Sequence, residues 1–200
     1  MLFLILLILV TKLVFSYSIL LNNNNHMFKK VCNNCKRCSN GFTGSGVLLY
    51  EKNIYDKKTF ILGFNYKYEL TDFGGKINNA NEKVYITALR ECNEETKGTI
   101  NLTLNDIITS DYIDISRYEH KYRSYIVKTN FFDTNKFNSK KIYLNNNNTD
   151  YNEILKIIKI NEDKLKKIFK EMNSNNMSKT TQYSLSTRLI KILKKYYLSK

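Results

Sequence analysis

One stretch restricts this chain more than any other: residues 74–98, GGKINNANEKVYITALRECNEETKG. A glycine pair opens it, and from Glu82 to Thr96 there is neither Gly nor Pro, so that interval is predicted to run as one helix. At 3.6 residues per turn, Tyr85, Ala88, Leu89 and Cys92 fall at i, i+3, i+4 and i+7 and form an apolar stripe. Glu91, Glu94 and Glu95 fall at i, i+3 and i+4 and share a different face. Like charges placed that closely repel, by roughly a few tenths of a kcal/mol per pair. A cation on that face relieves the repulsion, and three carboxylates on one rigid surface offer the oxygens that Mg²⁺ or Mn²⁺ prefers. The alternative for an acidic triplet is plain solvated surface.

The order of these residues resembles the signature of the Nudix hydrolases, G-x5-E-x7-R-E-U-x-E-E-x-G-U, with U a bulky apolar residue. Glu82 through Glu95 fit it without a gap, and Cys92 stands at the U position. Two departures flank the helix. Six residues rather than five separate Gly75 from Glu82, and Gly98 comes one place late, after Thr96-Lys97, with Ile100 as the apolar residue. One added residue in a loop costs little and leaves the spacing of the acids unchanged. DFGGK at 72–76 and EETKG at 94–98 resemble one branch of the family.

The resemblance implies a mixed sheet in an α/β/α sandwich. It implies water attack on phosphorus in a nucleoside diphosphate linked to another moiety, with Mg²⁺ or Mn²⁺ as cofactor. Glu91, Glu94 and Glu95 would then be catalytic metal ligands, joined by the main-chain carbonyl of Gly75. Glu82 and Arg90 would form a salt bridge tying loop to helix, with Gly74 and Gly98 as structural positions. Lys76 would face phosphates, or else be merely exposed beside the glycine turn. The general base of such enzymes lies outside the signature. Glu153, between a polar loop and a strand, is the first candidate and Glu119 the second, each weighed against an ordinary surface acid. His120 reads as a surface histidine. Phe64, Tyr66 and Tyr68 either stack on a base or pack in the sheet.

The rest of the chain supplies a scaffold. Gly46–Tyr50, Thr59–Phe64, Asp111–Ile115, Tyr122–Thr129 and Glu153–Ile160 read as strands, and residues 66–71 extend the sheet toward the glycine turn. Asn161 is placed to cap a helix from Glu162 to Met172, with Leu165, Ile168, Phe169 and Met172 inward. A last helix over 184–198 turns Leu185, Leu189, Ile192, Leu193 and Tyr196 inward. Arg188, Lys191, Lys194 and Lys195 are then left on an outer basic face, solvated or touching acidic partners. Strands, a helix, more strands and terminal helices make an α+β domain, expected over residues 41–200.

Ahead of it, residues 1–21 are apolar apart from Thr11, Lys12, Ser16 and Ser18. Lys12 shortens the apolar run to signal-peptide length, and Ser16-Tyr17-Ser18 supplies a small-x-small cleavage site. Residues 1–21 therefore read as a signal or anchor segment, with targeting to an endomembrane or organelle, or membrane association, as the expected outcome. If it is retained, Lys29, Lys30, Lys36 and Arg37 on its C-terminal side leave the domain in the cytosol. Residues 22–40 form a basic linker holding Cys32, Cys35 and Cys38, free or disulfide-forming thiols or, with His26, a metal site. The net charge of +14 favours polyanionic partners, RNA or anionic lipid among them, unless it is only a lysine-coated surface. The expected function is thus a metal-dependent pyrophosphohydrolase on a small nucleotide. Its alternatives are the same chemistry at the capped or triphosphorylated 5′ end of RNA, and a Nudix-shaped binding module with weak catalysis.

Overall fold

Strand β1 (Phe42–Lys52) alternates two apolar sets, and the alternation seeds a core on each face of a sheet. Val47 and Leu49 join one core while Leu48 and Tyr50 join the other. The computed structural model describes residues 41–117, 120–130, 132–139, 153–173 and 183–199. The expected signal or anchor segment at 1–21, the cysteine linker at 22–40, Glu119 and the polar loop at 145–150 lie outside the described residues.

After β1 come β2 (Lys58–Asn65), β3 (Glu69–Thr71), β4 (Phe73–Lys76), α1 (Val84–Glu95), α2 (Leu104–Ile108), β5 (Asp111–Arg117) and β6 (His120–Lys128). The remainder is α3 (Thr134–Asn138), β7 (Ile154–Asn161), α4 (Glu162–Asn173), β8 (Ser184–Leu185) and α5 (Thr187–Leu198). The strands form one mixed sheet. β6 runs parallel to β1 and β8 parallel to β3, and the other pairs are antiparallel. Along the edge opposite β6, β1 changes partner: residues 44–47 pair with β4 and residues 49–52 with β2. The sheet forks there, and the candidate site lies on the β4 branch.

Helices cover both faces. On one, Ala88 and Cys92 of α1 pack with Val47, Leu49, Ile61 and Phe73. On the other, Leu165 and Ile168 of α4 and Leu189, Ile192, Leu193 and Tyr196 of α5 pack with Leu48, Phe60, Leu62 and Leu70. Full burial of one such side chain contributes about 1.5–3 kcal/mol, so all three helices are held by their apolar stripes.

Three local details differ from the sequence reading. Helix α1 starts at Val84 rather than Glu82, and its N-cap, Lys83, makes no side-chain cap because an ammonium has no acceptor. Glu82 is occupied elsewhere, taking the Asn78 N–H at 2.6 Å. Ser184 and Leu185 do not begin the last helix; they pair with Glu69 and Leu70, and Ser186 then caps α5 by accepting the Leu189 N–H at 3.2 Å. The short helix α2, unanticipated, is opened by a capping box in which Thr103 and Asp106 satisfy each other's N–H groups. The late glycine has a clear task. Gly98 takes φ 62°, and its N–H returns to the Asn93 carbonyl at 2.8 Å, which closes the end of α1.

Candidate active site

Where β1 and β4 run side by side, glycines face each other: Gly46 stands opposite Gly74, and Ser45 opposite Gly75. The reason is steric. A Cβ on Gly46 or on Gly74 would collide with the hydroxyl of Tyr122, whose ring lies across this pair from β6. That hydroxyl donates to the carboxylate of Asp72 at 2.9 Å. Asp72 is fully buried and also accepts from the Ser124 hydroxyl at 3.2 Å and from Arg188 Nε at 2.6 Å. Burial pushes the Tyr122 phenol well above its usual pKa. Arg188 comes from α5, and its Nη2 donates to Thr71 Oγ1 at 3.2 Å and to the Asp72 carbonyl at 3.1 Å. The expectation that Arg188 belongs to an outer basic face is therefore corrected: it is drawn inward by a buried carboxylate.

The signature helix meets the turn from the other side. Glu95 is 5% exposed, and its carboxylate accepts the Gly74 N–H at 2.6 Å. Burial raises its pKa well above the ordinary carboxylate value; Asp72 and Glu153 push the same way and Arg188 opposes. Glu91 lies directly over Gly75, whose Cα would carry a Cβ into the Glu91 carboxylate. Burial raises the Glu91 pKa too, against Arg90 and with help from Glu94 and Glu153.

Arg90 gathers the loop and the helix. Its Nε donates to Glu82 at 2.8 Å, its Nη1 to Glu91 at 2.8 Å and Glu94 at 3.0 Å, and its Nη2 to the Lys76 carbonyl at 2.9 Å. Burial works against the charge on Glu82, but the Arg90 and Asn78 hydrogen bonds outweigh it and hold its pKa below the usual range.

A cavity of about 640 Å³ opens between the turn and α1. Of the residues singled out in the sequence, Gly74, Gly75, Lys76, Arg90, Glu91, Glu94, Glu95 and Glu153 border it. Glu153 is exposed, just ahead of β7. Glu82 is not on the wall; it stands behind Arg90. Gly98 is at the far end of α1. Phe64, Tyr66 and Tyr68 do not border the cavity, and Phe64 and Tyr68 pack edge to face on each other at 5.9 Å. His120 borders a neighbouring cavity of about 450 Å³ with Lys121 and Lys191, and the two cavities share Thr43 and Tyr122. Sequence reasoning missed Tyr122, Arg188 and Asp72. Asp72 was visible only as part of DFGGK, and nothing local marks Tyr122 or Arg188.

Among the described residues, no three acidic, histidine or cysteine side chains converge closely enough to ligate one ion. Arg90 holds Glu91 and Glu94, and Glu95 is turned to Gly74. The donor set nonetheless fits a hard divalent cation in kind, because four carboxylates, Glu91, Glu94, Glu95 and Glu153, border one cavity. Glu91 and Glu95, whose pKa values burial and neighbouring carboxylates raise, are in the electrostatic condition that a cation relieves.

No protein-family model matches the chain, and no curated protein does. Among solved structures the chain is similar to an Ap4A hydrolase from C. elegans in a binary complex, at 12% identity and TM-score 0.40, over 78% of this chain and 95% of that one. It is also similar to a Nudix hydrolase from M. smegmatis, at 9% identity and TM-score 0.48 over 80% and 86% of the two chains. A third is a NUDIX hydrolase from Nitrosomonas europaea, at 11% identity and TM-score 0.45 over 79% and 90%.

Proposed function

We propose that this chain is a Nudix-type, divalent-metal-dependent pyrophosphohydrolase that cleaves the phosphoric anhydride of a nucleoside diphosphate linked to another moiety. One observation carries the reading: the Glu91, Glu94 and Glu95 face of α1 and the Gly74-Gly75 turn border the same cavity, with Glu153 on its wall. A solvated acidic face, the plain alternative, would turn these side chains to open water. Glu91 and Glu95 are instead buried enough to raise their pKa values.

Glu91, Glu94 and Glu95, with the main-chain carbonyl of Gly75, would hold the metal. When bound, Mg²⁺ or Mn²⁺ supplies charge neutralisation at the phosphoryl oxygens and acidifies a water. Glu153 accepts the proton of the attacking water at its carboxylate. Lys76 meets a phosphate oxygen beside the glycine turn. Arg90, occupied by Glu82, Glu91, Glu94 and the Lys76 carbonyl, sets the distance between α1 and β4 rather than reaching substrate.

Hydrolysis of a nucleotide panel with Mg²⁺ or Mn²⁺, comparing wild type with Glu94→Gln and Glu153→Gln, tests this. Wild-type turnover that falls by about 10² or more in Glu94→Gln supports it. Wild type as inert as Glu94→Gln, on nucleotides and on capped RNA alike, leaves a binding module instead. The RNA 5′ end is a second reading, favoured by the net charge of +14 and by the lysines of the adjoining cavity. RNA affinity that does not change with salt argues against it.

A further inference from the structure

Arg188 is held by more restraints than neutralising one carboxylate requires. Nε and Nη2 donate to Asp72 Oδ1, Thr71 Oγ1 and the Asp72 carbonyl, and the guanidinium lies 5.0 Å from the centre of the Tyr122 ring. Asp72 already has two further donors, Tyr122 and Ser124. The helix that carries Arg188 is pinned by its buried neighbours Leu189, Ile192 and Leu193. What remains is Nη1, which makes no hydrogen bond with any described residue, on a side chain 29% exposed that borders the carboxylate-lined cavity.

A guanidinium fixed on two of its nitrogens and open on the third is pre-organised to take an anionic oxygen, with little conformational entropy left to lose. We propose that Arg188 is a substrate-binding residue of this cavity, its Nη1 donating to a phosphate oxygen. The inference rests on the pyrophosphohydrolase reading for the identity of the ligand, a di- or polyphosphate. It accounts for a cation beside Glu95 that no signature position supplies. The carboxylates proposed to hold the metal lie on α1 and Arg188 is fixed on α5, so a phosphate chain would be gripped from two separately anchored elements. Lys76, the other cation singled out beside the turn, is exposed and unrestrained by comparison.

The experiment uses the full chain, with inorganic pyrophosphate as the binding probe in the presence of Mg²⁺. Arg188→Lys keeps a charge for Asp72 but cannot serve both Asp72 and a ligand. The double variant Asp72→Asn/Arg188→Leu removes the ion pair as a unit, so no buried charge is left alone. Pyrophosphate Kd by calorimetry, KM and kcat on the best substrate, and Tm are measured for each. Loss of one hydrogen bond to a charged group corresponds to a rise of about 10- to 100-fold in Kd and KM, with a smaller change in kcat. Arg188→Lys is expected to show this at near wild-type Tm. Wild-type pyrophosphate binding in either folded variant overturns the proposal. So does a loss of binding that merely follows Tm across the two, which is what a purely architectural pair predicts. The failures separate cleanly. If wild type hydrolyses nucleotides and Arg188→Lys binds normally, only Arg188 is misassigned. If wild type hydrolyses nothing but Arg188→Lys loses pyrophosphate, the anion site stands and the enzymatic reading falls.

Discussion

Gly75→Ala separates the chemistry of the glycine turn from its architecture. A Cβ at Gly75 would sit 2.5 Å from Glu91 Cδ and 2.6 Å from its Oε1, so the obstacle is the end of a flexible side chain. Swinging Glu91 off its rotamer costs about 0.5–1.5 kcal/mol, and the Gly→Ala exchange returns about 0.4–1 kcal/mol by restricting the unfolded chain. The net effect on stability is within about 1 kcal/mol, or about 2–4 °C in Tm for a domain this size. The effect on function is large, because the displaced group is a proposed metal ligand, and misplacement by about 1 Å costs about 10²-fold in rate. Gly46→Ala is the control. Its Cβ meets not only the Tyr122 hydroxyl but the backbone of β4, at the Phe73 carbonyl and at Gly74 Cα, 2.7 Å away. Backbone cannot step aside, so we expect a loss of about 2–4 kcal/mol. Thermal melts of both variants and their hydrolysis rates with Mg²⁺ decide the matter. If Gly75→Ala keeps wild-type rate at wild-type Tm, the Glu91 carboxylate is not used where it sits. If Gly46→Ala melts no earlier than Gly75→Ala, the steric argument for the facing glycines fails.

Mg²⁺ or Mn²⁺ at about 100 times its Kd should raise wild-type stability by about 2.7 kcal/mol, seen as a higher Tm, and Glu94→Gln should respond less. Cys92 is 1% exposed, and burial raises its thiol pKa, with Glu95 adding. Mass mapping after thiol labelling should therefore find Cys92 unmodified in the native protein and modified in urea; native labelling would contradict its place in the core. The Asp106 carboxylate accepts from the Thr103 hydroxyl and N–H, each at 2.7 Å, and these bonds hold its pKa below the usual value. Its contribution is present above the unfolded carboxylate pKa and is lost as pH falls through the lower folded value. Urea titrations should therefore show wild type more stable than Asp106→Ala near neutrality, with the gap closing in acid. A gap independent of pH would mean the capping box carries no linkage.

Periodicity and spacing made the helix, its apolar stripe, the acid face and the order of strands and helices legible in the chain itself, while the sandwich layering came only with the family resemblance. These are local facts: 3.6 residues per turn puts Ala88 and Cys92 on one side and Glu91, Glu94 and Glu95 elsewhere, whatever the helix packs against. Glycine content near the turn was equally legible, though not its reason. Only the tertiary structure decided what faces that helix. Tyr122 reaches Asp72 across 50 residues and Arg188 across 116, contacts set by strand order and by the docking of α5. In the sequence, Arg188 reads as one more cation on a basic face. A buried carboxylate cannot stay charged without a partner, and that requirement, invisible to any window of neighbours, turns the arginine inward.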